Sequence, residues 1–184
     1  MKELWENLVR FLSLVSFRKP FHSRINRLSL TSDGTVRKQA GPTFTRGTHL
    51  FDPKWLLRRE ATFLRFLDGR CAPRLLAVGD DWIEMEYCGE ELSVENIPLD
   101  YRKQVAEIVG ILKEAEIVHR DIKPGNLLVK NDQLYLIDFG WAIWANEDPY
   151  LSPRELSKDI PKNLIYDNEA ALIWLLSQHA NMEL

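Results

Sequence analysis

The sequence contains few of the residues from which metal centres and disulfide frameworks are built. Its 184 residues include four histidines and two cysteines, Cys71 and Cys88, which lack a CxxC spacing. Structural zinc sites and small secreted scaffolds need more cysteines at closer spacing. We therefore expect two free thiols in a reducing compartment.

The chain also lacks an excess of positive charge and a long apolar run. Its formal net charge is −3 at pH 7, whereas domains that bind nucleic acid usually carry a basic surface. No apolar stretch reaches the ~20 residues of a membrane helix. The first residues, MKELWENLVRFLSLVSF, have acids near their front and no cleavage site of a secretory signal. These absences predict a cytoplasmic protein without a nucleic-acid partner.

The same first residues carry a broad apolar stripe at helical spacing. The stripe predicts an amphipathic helix that packs on its own domain, although FLSLVSF could instead form a strand. The basic pair Arg18 and Lys19 leaves a second interpretation open. Residues 1–19 could contact a partner or lie at the anionic inner face of a membrane.

Length and turn signals predict one α+β domain. A chain of this size, with 45% hydrophobic residues, can bury one core but not two. Turn residues at 33–34, 79–81 and 130–133 separate pairs of short apolar strands. Capping residues delimit helices over 52–67 and about 100–115, and DNEAALIWLLSQ predicts a closing helix. The first half is thus expected to be sheet-rich and the second half helical.

The stretch IVHRDIKPGNLLV concentrates chemically active side chains in one loop. In-line transfer of a phosphoryl group needs an acid that orients the attacking hydroxyl, cations over the phosphates and oxygen ligands for magnesium. Asp121, Lys123 and Asn126 offer these three functions within six positions. Twelve residues later, Asp138 ends an apolar strand in IDFG and can supply a carboxylate to the same metal.

Together, HRDIKPGN and IDFG resemble the catalytic and metal-binding loops of the protein kinase superfamily. The resemblance implies a two-lobed kinase-like fold, with residues 1–184 as a single minimal kinase domain. Its sheet-rich N-lobe would cover about residues 1–87, with an extra N-terminal helix, and its helical C-lobe about 88–184. The implied cofactors are ATP and Mg²⁺. The implied site residues in these two loops are the catalytic Asp121 and Lys123 and the metal ligands Asn126 and Asp138.

The upstream half offers the other parts that the resemblance requires. Lys38 in TVRK matches the lysine that holds the nucleotide phosphates, and Glu60 in RREAT matches its glutamate partner on the next helix. Glu60 could otherwise be an ordinary surface acid. IEMEYC is similar to the hinge between kinase lobes, where Met85 would line the adenine pocket. The Glu86 carbonyl and the Cys88 amide would bind the base through the main chain.

The final third resembles the family less closely. YLSPREL is similar to the end of a kinase activation segment, with Glu155 near the usual Pro-Glu, and Asp167 would brace the catalytic loop rather than only cap a helix. His119 is expected to be a backbone-bracing core histidine. Arg120 would be placed to receive a phosphate, although the segment from Asp138 to Glu155 is short for a phosphorylation switch.

The sequence departs from the family in two further ways. No glycine-rich phosphate loop precedes Lys38, so FRKPFHSR is the candidate cover, with Ser23 or Arg24 among its ligands. The chain stops 17 residues after Asp167, so the last helices of the usual lobe are not expected. This trimmed C-lobe resembles RIO-type kinases, the kinase partner of tRNA-modifying complexes, and bacterial kinases of lipopolysaccharide or capsular sugars.

The sequence leaves the acceptor open. We predict a phosphotransferase that acts on a hydroxyl, and the lysine of HRDIKPGN favours protein serine or threonine. The short activation segment leaves little groove for an extended peptide, so the predicted acceptor is narrow: one partner protein, or alternatively a glycan or glycolipid. A pseudokinase that only binds a partner or nucleotide is a third hypothesis, suggested by the missing glycine loop.

Overall fold

A computed structural model describes residues 26–46, 49–147 and 164–180. Several sequence-based predictions fall outside these described residues. They concern the N-terminal helix, the phosphate cover with Ser23 and Arg24, and the YLSPREL segment with Glu155.

A four-stranded antiparallel sheet forms the first half of the fold. Its strands are β1 (Asn26–Leu30), β2 (Val36–Ala40), β5 (Leu75–Val78) and β6 (Trp82–Met85), in the order β1-β2-β6-β5. The predicted turn at Asp33 and Gly34 joins β1 to β2, and Gly34 has a φ of 77°, which glycine adopts without strain. A small hairpin of β3 (Phe44–Arg46) and β4 (His49–Phe51) was not predicted.

The helix predicted over residues 52–67 is present as α1 (Pro53–Leu67). The Asp52 side chain caps it by accepting a hydrogen bond from the Lys54 amide at 2.9 Å, and proline occupies the first turn, where no amide hydrogen is needed. Asp68 ends the helix in the left-handed conformation. One face of α1 is buried against the sheet and the second half of the chain, and it includes Leu57, Phe63 and Leu64.

The second half holds α2 (Tyr101–Glu114) and α3 (Asn168–Ala180) with short strands between them. β9 (Leu127–Lys130) and β10 (Gln133–Leu136) form the predicted third hairpin. Three two-residue strands were not predicted. β7 (Glu90–Glu91) pairs with β9, and β8 (Ile117–Val118) pairs with β11 (Ile143–Trp144).

One hydrophobic core connects the two halves. The cluster includes Leu64 of α1, Met85 of β6, Ile108 of α2, Leu127 of β9 and Leu172 of α3. The α+β class and the sheet-to-helix order are therefore as predicted. Among the described residues, no helix combines the length and the apolar character needed to cross a membrane.

Candidate active site

Three charged side chains from three elements meet between the sheet and the second half. We call Lys38, Glu60 and Asp138 the ion cluster. The Lys38 Nζ atom lies 2.7 Å from Glu60 Oε2 and 2.8 Å from Asp138 Oδ1. Lys38 and Glu60 are almost fully buried, whereas the Asp138 side chain is 32% exposed. Glu60 is thus no surface acid, and the cluster opens to solvent on the Asp138 side.

The cluster keeps Lys38 and Asp138 charged. Burial alone would lower the pKa of Lys38, but the two carboxylates outweigh it and the pKa is raised. Burial likewise works against ionisation of Asp138, yet the adjacent Lys38 ammonium holds the pKa of that carboxyl below its ordinary value. Burial raises the pKa of Glu60, against the pull of Lys38. A fixed ammonium beside an ionised, partly exposed carboxylate suits phosphates with their metal ion.

The backbone around Asp138 turns sharply to present its side chain. Asp138 is left-handed, with a φ of 66°, and a 3₁₀ turn over Phe139–Trp141 follows it. Phe139 is fully buried, with its ring centroid 4.6 Å from that of His119 and 6.4 Å from that of Phe63. A strained conformation of this kind persists because the surrounding packing enforces it.

The loop over residues 119–126, which we call the catalytic loop after its predicted role, brings together the other three predicted side chains. Lys123 Nζ donates to Asp121 Oδ2 at 2.7 Å. Asn126 Nδ2 donates to the Asp121 main-chain oxygen at 2.7 Å and to Asp121 Oδ2 at 3.2 Å. The Asn126 carbonyl accepts a bond from the amide of Ile137, next to Asp138. The loop and the ion cluster are therefore joined through the main chain.

Burial raises the pKa of Asp121 to about 6, while the Lys123 ammonium acts in the opposite direction and the charge of Asp138 adds to the rise. The Asp121 side chain is 6% exposed, which explains the dominance of burial. A carboxylate with this pKa is ionised at neutral pH and is a better base than an exposed one. It can accept or orient a hydroxyl proton.

His119 has the bracing position expected from the sequence. Its ring is fully buried and accepts a hydrogen bond from the Asp121 amide at Nδ1, 3.3 Å away, while Nε2 lies 3.0 Å from the Ile137 carbonyl. Burial lowers the pKa of His119 to about 4, so the ring is neutral. The neutral tautomer with its proton on Nε2 satisfies both contacts, since Nε2 then donates to the Ile137 carbonyl and Nδ1 accepts from the Asp121 amide.

The brace from α3 comes from Asn168 and not from Asp167. The Asn168 Oδ1 atom accepts a hydrogen bond from the His119 amide at 2.9 Å, and its Nδ2 donates to the Ile117 carbonyl at 2.6 Å. Asp167 instead accepts a bond from the Ala170 amide and caps the helix. The prediction for Asp167 was wrong because the loop presents a donor and an acceptor, and an ionised carboxylate can pair only with the donor, whereas the Asn168 amide pairs with both.

The predicted hinge residues follow directly at the end of β6 (Trp82–Met85). Met85 is buried at the end of β6, and the Glu86 amide donates to the Arg74 carbonyl at 2.9 Å. Within the described part of the chain, no hydrogen bond engages the Glu86 carbonyl or the Cys88 amide. These two groups are the ones that the sequence assigns to adenine.

Two neighbours hold the hinge in place. Lys130 Nζ donates to the Tyr87 carbonyl at 2.8 Å. Gly89 has a φ of 91°, and a Cβ atom at this position would overlap the Val129 carbonyl oxygen. Glycine is therefore needed for both conformation and space. Sequence reasoning linked neither residue to the hinge, although a glycine between the hinge and a short strand is a signal of close backbone approach.

The residues around Asp138 fit a magnesium ion shared with phosphates. Asn126 uses its side-chain nitrogen for hydrogen bonds within the loop, so its Oδ1 atom can serve as a metal ligand. Asp138 accepts the bond from Lys38 with Oδ1, so its Oδ2 atom can serve in the same way. Oxygen donors of this type suit Mg²⁺, which commonly takes few protein ligands and completes its shell with phosphate and water. In the described ranges, no three acidic, histidine or cysteine side chains form a metal site alone.

Arg59 was also missed by the sequence reasoning. It precedes Glu60 on α1, and its guanidinium forms an ion pair with Glu147 at 2.9 Å. The two residues are 88 positions apart, so no local spacing could have linked them.

Comparison with known proteins agrees with this geometry. The family model of the protein kinase domain matches residues 82–158. This range contains the hinge, the catalytic loop and Asp138, while Lys38 and Glu60 lie before it.

Several relatives carry kinase names. An Aurora kinase of Encephalitozoon cuniculi is 41% identical over 71 residues, which are 33% of this chain and 26% of the relative. A probable serine/threonine-protein kinase BUD32 homolog of Archaeoglobus fulgidus is 35% identical over 75 residues, 41% of this chain and 38% of the relative. Serine/threonine-protein kinase ppk34 of Schizosaccharomyces pombe is 30% identical over 137 residues, 64% of this chain and 39% of the relative.

The matched segments span less than half of each of these relatives. The similarity to a BUD32 homolog agrees with the expected resemblance to the compact, RIO-like branch. The comparisons do not support the resemblance to bacterial sugar kinases. The chain is thus similar to protein kinases over these segments, and its α+β fold agrees with that similarity.

Proposed function

We propose that the chain is an ATP- and magnesium-dependent phosphotransferase that moves the γ-phosphate to a serine or threonine hydroxyl of a protein. One observation carries the proposal. The ion cluster and the catalytic loop each contain all their expected side chains, at 2.7 to 2.8 Å from their nearest partners. We take residues 1–184 as one minimal kinase domain.

Each residue would have a distinct task. Lys38, held by Glu60, would bind the phosphates of the nucleotide, and the Glu86 carbonyl and Cys88 amide would bind its base. Asp121 would orient the acceptor hydroxyl and take its proton, because its carboxyl is ionised at neutral pH.

The remaining residues would offset the negative charge of the transferred phosphate. Lys123 lies beside Asp121 with a partly exposed ammonium, so it could reach the phosphate that passes between the substrates. Asn126 and Asp138 would hold Mg²⁺, which, when bound, neutralises phosphate charge. The Ser23 and Arg24 phosphate cover remains a proposal from the sequence.

The acceptor proposal depends on the relatives and on Lys123. Relatives from Archaeoglobus and Schizosaccharomyces are named as serine/threonine-protein kinases, and HRDIKPGN has the lysine associated with that class. We further propose one narrow protein acceptor rather than generic peptides. A glycan or glycolipid acceptor and a pseudokinase are alternatives that no contact among the described residues favours, and they are outcomes of the experiment below.

The deciding experiment is a transfer assay with γ-labelled ATP and lysate from the source of the protein. We expect acid-stable label on serine or threonine of few proteins, and little label on casein. Asp121→Asn should reduce labelling by roughly 10²–10⁴-fold. Label confined to the glycolipid fraction would refute the serine/threonine proposal, and absence of label in every fraction would favour the pseudokinase.

A binding measurement separates loss of chemistry from loss of nucleotide. In thermal-shift titrations, ATP with magnesium should stabilise the wild-type protein more than ATP alone. Asp138→Ala should abolish that difference, whereas Asp121→Asn should retain it. Equal stabilisation with and without magnesium in the wild type would contradict the roles of Asn126 and Asp138.

Residues 1–19 call for a separate proposal. We infer from the sequence that they pack on their own domain. Flotation with and without anionic liposomes tests this, since recovery with anionic vesicles alone would show peripheral membrane binding instead.

A further inference from the structure

The segment after Asp138 is attached to α1 by an arginine clamp. Arg59 Nη1 lies 2.9 Å from Glu147 Oε1, and Arg59 Nη2 donates to Glu147 Oε2 at 2.9 Å and to the Ala142 carbonyl at 2.8 Å. This paired arrangement of two nitrogens on two carboxylate oxygens is the strong, directional form of an ion pair. We call Arg59 and Glu147 the clamp.

Both halves of the clamp are held by other contacts. The guanidinium carbon lies 5.2 Å from the Trp55 ring centroid and 5.7 Å from that of Phe63. The Glu147 carboxylate also accepts a bond from the Trp144 amide at 3.2 Å. The side chains are 18% and 30% exposed, so water screens the pair only in part.

The clamp is adjacent to the ion cluster. Arg59 and Glu60 are consecutive on α1, and Glu60 points to Lys38 while Arg59 points to the segment over 142–147. A helix moves as a rigid body, so fixing Arg59 also fixes the rotation of Glu60. If α1 rotated or moved outward, Lys38 would lose one of its two carboxylates.

We propose that Arg59 is a positioning residue that, through Glu147, holds α1 against the segment after Asp138 and so keeps Glu60 on Lys38 without any phosphorylation. A phosphate on this segment would need an arginine partner of the same kind. Here the Glu147 carboxylate already occupies Arg59, and Arg120, the arginine expected to receive a phosphate, is only 1% exposed. This inference deepens the proposed function and depends on it for its effect on turnover.

Electrostatics agree with a permanently charged clamp. The hydrogen bond from Arg59 lowers the pKa of Glu147, and Arg120 contributes further attraction. Arg120 precedes Asp121 in the catalytic loop, so the carboxylate is attracted to two elements of the site. Glu147 therefore stays ionised at neutral pH and needs no modification to act.

The first test measures α1 directly and needs no catalytic activity. In hydrogen exchange of the nucleotide-free protein, Glu147→Gln should increase the exchange rate of α1 amides. The matched control is Glu84→Gln, which removes another arginine–glutamate pair at 2.8 Å, with Arg37 on the sheet. It should leave α1 unchanged. Equal α1 exchange in Glu147→Gln and the wild type would overturn the proposal.

The second test measures turnover in phosphatase-treated protein whose unphosphorylated state is verified by mass spectrometry. The wild type should keep full activity, and Arg59→Gln should lower kcat roughly tenfold. In a Glu60→Gln background, Arg59→Gln should cause less than about a twofold further loss, because Arg59 acts through Glu60.

The outcomes of the two tests are distinguishable. A tenfold loss in both backgrounds would mean that Arg59 acts independently of Glu60, and loss of wild-type activity on dephosphorylation would refute independence from phosphate. A wild type inactive before phosphatase treatment would count against the proposed function, while the exchange measurement would still decide whether the clamp holds α1.

Discussion

Replacing Lys123 by glutamine should move the acidic limb of the pH–rate profile to higher pH. Burial raises the pKa of Asp121 to about 6, and the Lys123 ammonium, 2.7 Å from the carboxylate, opposes that rise. Asp121, the proposed base, would act when deprotonated, so kcat/KM should fall as the pH decreases through about 6. Glutamine removes the charge but retains a side-chain amide, and the carboxyl should then bind its proton at higher pH.

The size of the shift follows from the exposure of the pair. Two unit charges 4 Å apart interact by about 4 kcal/mol at an effective dielectric constant of 20. Lys123 is 32% exposed, and screening by water reduces such pairs severalfold. We therefore expect about 1 to 2 kcal/mol, which corresponds to about one pKa unit. The midpoint of the limb should move from about pH 6 to about pH 7.

The assay is kcat/KM of the transfer reaction between pH 5 and 8 in buffers of constant ionic strength. Lys123→Gln should also lower the plateau, but the midpoint is the informative quantity. Lys113→Gln, an exposed lysine on α2, is the matched control and should leave the midpoint unchanged. An identical midpoint in the wild type and Lys123→Gln would refute the assignment of the limb to Asp121.

Three further predictions concern stability and reactivity. Gly89→Ala should lower the free energy of unfolding by about 2 to 4 kcal/mol, since the added Cβ would overlap a carbonyl of β9. Gly110→Ala, on the open face of α2, should raise the free energy of unfolding by about 0.5 to 1 kcal/mol, because alanine is the better helix former. Urea denaturation measures both changes. Asn168→Asp should cost about 1 to 3 kcal/mol because a carboxylate would face a carbonyl of β8, while Asp167→Asn retains its cap and should change stability by less than about 0.5 kcal/mol in the same assay. Burial raises the pKa of both cysteine thiols to about 12, so a thiol reagent at pH 8 should modify them only after unfolding, and rapid modification of the native protein would contradict their burial.

The sequence predicted those parts of the fold that have local signals. Helix α1 was predicted to within a residue because an aspartate cap, a proline and a glycine mark its ends. The hairpins of β1–β2, β5–β6 and β9–β10 were predicted from their turn residues. The two-residue strands β7, β8 and β11 show no periodicity, and their pairing depends on contacts between distant segments.

The same distinction applies to the site. Lys38, Glu60, Asp121, Asn126 and Asp138 were named because kinase-like loops have a recognisable spacing, and the structure brings them together; their catalytic roles remain predictions. Arg59 and Asn168 were missed because each partner is far along the chain, at 88 and 49 positions for their contacts with Glu147 and His119. For Asn168, the loop offers one amide and one carbonyl as hydrogen-bond partners, and this favours Asn168 over the adjacent Asp167. The sequence does not show which backbone groups of the loop are left to be paired.

The ion cluster also bears on how the protein acquires its site. Lys38 and Glu60 are 22 positions apart, whereas Lys38 and Asp138 are 100 apart. Contacts between distant positions form only after the intervening chain has been ordered. A chain cut at the hinge would leave the first pair in one fragment and Asp138 in the other. Recovery of the proposed magnesium-dependent nucleotide binding from two such fragments would therefore report their association, which would make the cluster a basis for a split-protein sensor.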